Sequence, residues 1–132
     1  MASSITTQAD ILTHVVIPDN ELARLETERM VSDNWLSIHE KAWTLIKGML
    51  LIRRPPLEES ELGDSSEYDA TVCFAVIYLA YQEAQIMTDE DQARKSYWYK
   101  KMRKAYAMVN PTDANGNEYG RESFGSRRAL RG

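Results

Sequence analysis

Ten consecutive apolar residues, Val72-Cys73-Phe74-Ala75-Val76-Ile77-Tyr78-Leu79-Ala80-Tyr81, constrain this chain more than any other feature. Ten is about half of the roughly 20 residues that a membrane-spanning helix needs. The run is therefore expected inside a protein core, with no membrane contact. Its β-branched and aromatic side chains would suit a buried strand. A helix is preferred, because Tyr68, Val72, Ala75, Val76 and Leu79 continue as one face into Ala84 and Met87. A helix that is apolar on nearly every side has to be wrapped by others. The expected fold is all-α: a small bundle of about four to five helices around a central apolar helix at residues 67–87. With 132 residues, one domain is the natural count. A composition of 43% hydrophobic and 27% charged residues lies close to the globular average, which argues against wholesale disorder.

The flanking segments carry the signals of the wrapping helices. Thr7 as N-cap and Asp10 three residues later open a short helix whose apolar face is Ile11, Leu12, Val15 and Val16. Pro18 stops it, and Asp19-Asn20 cap a second through Leu22 and Leu25. Residues 32–52 give a long amphipathic helix with Trp35, Ile38, Ala42, Leu45, Ile46 and Met49 in its stripe, widened by Leu36, Trp43 and Leu50. Gly48 within it serves a close backbone approach or is merely tolerated. Arg53-Arg54-Pro55-Pro56 ends the helix. An acidic linker follows at residues 55–66, longer than the usual two to eight residues between bundle helices. Ser66 and Asp69 resemble a capping box for the central helix. Thr88-Asp89-Glu90-Asp91 starts a last helix, with Trp98, Met102, Ala105, Tyr106 and Val109 as its buried stripe. Asn110-Pro111 ends it. Residues 1–111 form the expected bundle domain, and residues 112–132 a flexible basic arm with a turn at Asn115-Gly116. The arm is expected to be dispensable for the fold.

No chemistry announces itself. A single cysteine, Cys73, excludes an internal disulfide framework and a multi-thiolate zinc site, and it reads as a small core hydrophobe. His14 and His39 are the only histidines, too few for a histidine-rich metal centre. His39-Glu40 begins a zinc-protease motif, but Trp43 stands where its second histidine belongs. Asp113, Asn115 and Asn117 imitate a calcium loop, yet Glu118 replaces the required glycine and Phe124 the closing glutamate. No nucleophile elbow or phosphate-cradling glycine loop is present. No catalysis, metal or cofactor is expected. Met1-Ala2-Ser3-Ser4 lacks the basic cluster and apolar run of a secretory leader.

Charge is distributed unevenly. Residues 1–90 hold six basic and sixteen acidic side chains, whereas residues 91–132 hold ten basic and four acidic. Such asymmetry often reflects nothing more than solvated helices. It also lets a chain meet a copy of itself, or a partner, with complementary potentials. The expected contact residues are Arg53, Arg54, Lys100, Lys101, Arg103 and Lys104 on the helices. In the arm they are Tyr119, Phe124, Arg127, Arg128 and Arg131.

The layout resembles the head–tail connector proteins, or head-completion adaptors, of tailed bacteriophages. The resemblance runs over residues 5–110 and lies in hydrophobic spacings. These are Thr7-x-x-Asp10-Ile11, Glu21-Leu22-x-x-Leu25, Ile46-x-x-Met49-Leu50-x-x-Arg53, Ala75-x-x-Tyr78-Leu79-Ala80, and a final helix with Tyr99, Ala105 and Met108. The long acidic linker and the basic arm exceed the family pattern. The resemblance implies no reaction. It implies a virion component, made in the host cytoplasm and placed at the head–tail interface. Its partners would be the portal protein, a tail or tail-completion protein, and copies of itself in a dodecameric ring. Packaged DNA would pass through without sequence-specific binding. The alternative is a small DNA-associated regulatory bundle with Lys100, Lys101, Arg103 and Lys104 on phosphates.

Overall fold

A computed structural model describes residue 5 and residues 7–28, 35–84 and 88–120 of the chain. Among these residues it holds five α-helices and no strand, which makes the protein an all-α bundle. They are α1 (Gln8–Leu12), α2 (Asp19–Glu28), α3 (Leu36–Ile52), α4 (Asp69–Glu83) and α5 (Asp89–Met108).

Local chemistry sets the helix starts. In α1, Thr7 Oγ1 accepts from the Asp10 amide while the Asp10 carboxylate accepts from the Thr7 amide. Thr88 and Asp91 repeat this reciprocal cap at α5. Each pair satisfies two amides that a helix start leaves without partners. The start of α3 has no side-chain cap. Trp35 stands there instead, fully buried, and its indole Nε1–H donates to Glu26 Oε2 at 2.6 Å, tying α3 to α2.

α4 is the axis of the molecule. Thr71, Val72, Cys73, Ala75, Val76, Ile77, Ala80 and Tyr81 are all buried on it. It packs against α5 on one side and α3 on the other, and α3 and α5 make at most marginal contact with each other. Aromatic pairs stitch α4 to α5: Phe74 stacks on Trp98 at 6.0 Å between ring centroids, and Tyr78 tilts against Tyr99 at 5.1 Å. Of the expected α3 stripe, Trp35, Ile38, Ala42, Trp43, Ile46, Met49 and Leu50 are buried, whereas Leu45 is half-buried and Leu36 is exposed. Burial removes Cys73 from reactive chemistry as well, pushing its thiol up to about 12.

Three departures from the sequence reading have physical causes. First, α1 ends at Leu12, so Val15 and Val16 lie beyond the helix and do not share its face. Val15 is buried and Val16 is 97% exposed. Second, Ser66 does not cap α4. Asp64 Oδ1 accepts from the Ser66 amide at 3.0 Å, capping a 3₁₀ turn at Ser65–Tyr68 that feeds α4 at Asp69. An aspartate reaches the backbone two residues ahead more readily than a serine does. Third, the acidic linker is folded onto the bundle. The Leu57 amide donates back to Leu50 O at 2.9 Å, the Leu57 side chain is buried, and a second 3₁₀ turn forms at Glu59–Glu61.

Residues 112–120, expected as the root of a flexible arm, are likewise folded. Thr112 bridges to Glu118 around a turn in which Asp113 Oδ1 accepts the amides of Asn115 and Asn117. Gly116 sits in the turn at φ +82°, a conformation that L side chains rarely adopt. The Gly63 amide donates to Thr112 O at 2.8 Å, joining the linker to this turn backbone to backbone.

Candidate functional site

The contact residues expected from sequence divide into three groups. Arg53 is 2% exposed, contrary to its expected place on a contact face. Its guanidinium Nη2 donates to Gly120 O at 2.5 Å, which ties the end of α3 to the chain after α5. Tyr119 is half-buried and donates its hydroxyl to Glu61 O at 2.7 Å, so it too braces the fold. Both act inside the molecule, because the folded linker and the turn at 112–118 close over the end of the bundle.

The second group stays outside. Arg54, Lys100 and Lys104 are exposed, and Lys101 is half-buried with its Nζ 5.4 Å from the centroid of Tyr97. Arg103 is half-buried and engaged. The basic residues of α5 stop a turn short of its end, since the last turn carries none. The third group, Phe124, Arg127, Arg128 and Arg131, lies outside the described residues.

Helical spacing organises the exposed cations. Tyr97, Lys101, Lys104 and Met108 follow one another at intervals of four, three and four, which places them along one flank of α5. Met108 is 64% exposed. Val16 joins the head of this flank, because His14, Val16, Phe74, Tyr97 and Lys101 line one cleft of about 240 Å³. The result is an apolar strip set among cations. Residues 92–112 contain six basic side chains and no acidic one.

The surface of α3 beside the linker differs from this flank. Thr44, Lys47, Gly48 and Leu51 of α3 form a groove of about 450 Å³ with Glu58 and Glu59 of the linker. Residues 57–69 contain six acidic side chains and no basic one. Lys47 is the cation in the groove, and it is held by Glu59 at 3.5 Å. Glu59 also accepts from Trp43 Nε1–H at 3.1 Å, which fixes the linker against α3. Leu51 is exposed on the rim, and Ile52 beyond it is 78% exposed. A Cβ added to Gly48 would meet nothing within 4 Å, so this glycine leaves open space and makes no close backbone approach.

An ionic knot between α2, α4 and α5 was not legible in the sequence. Arg24 Nη2 bonds Asp91 Oδ1 at 2.7 Å and Glu21 Oε1 at 2.5 Å, and Arg24 also pairs with Glu28. Tyr81 donates its hydroxyl to Glu21 Oε1 at 2.8 Å. Arg94 adds contacts to Glu90 and Asp91. Burial alone would raise the carboxyls of Asp91 and Glu21, but hydrogen bonds from Arg24 and the surrounding charges outweigh it and hold both below their ordinary values. Burial and the Glu21 carboxylate push the Tyr81 phenol up. A cleft beside the knot includes Glu21, Tyr81 and Arg94 with Tyr97 and Trp98. Its polar groups are satisfied by one another, which marks it as a structural joint.

Among the described residues, no group of three or more histidine, cysteine, aspartate or glutamate side chains is arranged to hold a metal ion. Nor is any described helix long and apolar enough to cross a membrane. No family model, curated protein or solved structure matches the chain. Its class therefore rests on the fold and these surfaces: a small all-α bundle with two outward flanks of opposite charge.

Proposed function

We propose that the chain is a structural assembly protein, and specifically a subunit of a phage head–tail connector. In this reading it binds below the portal as a ring, prolongs the channel through which DNA passes, and presents the seat for the tail. A closed ring repeats one heterologous contact around an axis. It lies at the head–tail interface of the virion and carries out no reaction.

The observation that carries the reading is the position of the exposed large apolar side chains. The core is filled, yet Val16, Leu51, Ile52, Tyr97 and Met108 stand outside it. Single exposed apolar residues are ordinary, but two groups of them, one along α5 and one at the end of α3, each beside charged side chains, fit surfaces that are covered on assembly. The sequence resemblance to connector proteins then supplies the particular assembly.

Mass spectrometry of purified phage particles tests the proposal by quantifying this polypeptide against the portal subunit. A ratio near one to one is expected. Absence from the particle would end the connector reading. The exposed Lys100 and Lys104 beside Tyr97 favour a second reading, a DNA-associated regulatory bundle. That reading requires duplex binding whose affinity falls steeply with salt, whereas a connector subunit requires little affinity for free duplex.

A further inference from the structure

We infer that copies of this chain join head to tail, the Tyr97–Lys101–Lys104–Met108 flank of α5 in one copy seating on the Gly48–Leu51 groove beside the acidic linker of the next. The inference rests on the assembly reading only in that copies of the chain meet; it adds which two faces do so.

Each face lacks what the other has. The α5 flank offers projecting side chains, namely Val16, Tyr97 and Met108, among lysines. The α3 side offers an indentation, left open where Gly48 has no side chain, with Leu51 on its rim and Glu58 and Glu59 along its edge. Lys101 and Lys104 on the α5 flank answer Glu58 and Glu59 at the groove's edge, where Lys47 is already paired with Glu59. Unlike charges brought together across an interface steer encounter and fix orientation, while apolar contact supplies the burial.

Placement decides the symmetry. α3 and α5 each pack on α4 and scarcely touch, so the two faces belong to different helices and are unlike surfaces. Two copies joined through unlike faces each keep one face unused. The contact is then heterologous and propagates, closing into a ring if its rotation permits. An isologous dimer would instead set lysine against lysine or glutamate against glutamate.

Charge reversal on each face provides the test. One variant of the full chain carries Lys101→Glu with Lys104→Glu, and the other carries Gly48→Lys with Leu51→Lys. All four positions are exposed or half-buried, and circular dichroism checks that both variants keep the helical fold. Sedimentation velocity of the wild type at rising concentration is expected to show species larger than a dimer, which diminish in high salt. Each variant alone should remain monomeric, because its altered face repels its unaltered one. An equimolar mixture should recover the large species, since both pairings of unlike faces are restored.

A wild type that stays monomeric at all concentrations would overturn the inference. So would assembly that survives either double substitution, or a mixture that fails to recover it. A fluorescent 20-nucleotide oligothymidine serves as the competing occupant. Its capture by the wild type, lost with Lys101→Glu and Lys104→Glu and without self-association, would assign the α5 flank to single-stranded nucleic acid instead. Particle composition decides the connector reading separately: a chain present at portal stoichiometry whose variants assemble unchanged would keep that reading and refute this contact.

Discussion

Arg24 and Asp91 stand 67 residues apart in the chain, yet their side chains meet at 2.7 Å and close α2 against the first turn of α5. Asp91 also accepts from the Thr88 amide. One carboxylate thus caps α5 and anchors α2 to it. Arg24→Ala should therefore cost about 1–3 kcal/mol, less than a fully buried pair because Arg24 is partly solvated. Urea unfolding at pH 7 reads the loss. The same pair sets an acid limit. Asp91 and Glu21 have folded pKa values below their unfolded ones, so their stabilisation is complete above pH 4.5 and is lost as pH falls further. In Arg24→Ala this acid limb should be shallower than in the wild type.

His39 predicts a second and earlier acid limb. It is fully buried on α3, and neither ring nitrogen has a hydrogen-bond partner among the described residues. Burial holds its pKa below 6.5 despite the opposing charges of Asp69 and Glu40. A depressed folded pKa means that the unfolded chain binds the proton first. Stability is then full above pH 6.5 and declines as the pH drops from there toward the folded value. Chemical denaturation from pH 7.5 to 5 should show this decline, and His39→Gln should flatten it while leaving the limb below pH 4.5 in place. A slope unchanged by His39→Gln would refute the assignment.

Two glycine substitutions should have opposite signs. At Gly48 a methyl group meets nothing within 4 Å, so Gly48→Ala should stabilise the monomer by about 0.5–1 kcal/mol through helix propensity. At Gly63 the added Cβ would fall 2.1 Å from Asp113 O, a backbone atom that cannot swing away. Gly63→Ala should break the clasp between the linker and the turn at 112–118, costing roughly 2 kcal/mol in line with other disruptive backbone changes. Thermal melts of the two variants should shift in opposite directions.

Truncation should depend sharply on where it falls. Ending the chain after Gly120 keeps the bonds Arg53–Gly120, Tyr119–Glu61 and Gly63–Thr112, and the melting temperature should stay close to that of the full chain. Ending it after Pro111 removes all three and uncovers Arg53 and the linker. A loss of about 2 kcal/mol is expected from the lost hydrogen bonds. The described fold thus runs through residue 120, past the boundary at 111 expected from the sequence.

What the sequence made legible is what short-range chemistry decides. Thr7 with Asp10 and Thr88 with Asp91 could be read as caps because each pair spans three residues. The all-round apolar run correctly marked α4 as the central helix. Errors begin where a side chain's fate depends on distant chain. Arg53 looked like a surface cation until Gly120, 67 residues on, supplied its acceptor. The linker looked projecting because its acids mask Leu57, whose burial follows from the turn back onto Leu50. Ser66 with Asp69 read as a capping box, whereas Asp64, two residues earlier, is the side chain that caps the turn. At the joint, Arg24 stands at helical spacing from Glu21 and Glu28, but nothing in a linear pattern joins it to Asp91, 67 residues on.

The bond from Arg53 to Gly120 also determines geometry beyond itself. It holds Gly120 at the end of α3, while the Gly120 amide donates to Asn110 Oδ1 just past α5. The ends of two helices and the acidic linker thus meet at one junction, from which the chain beyond Gly120 starts.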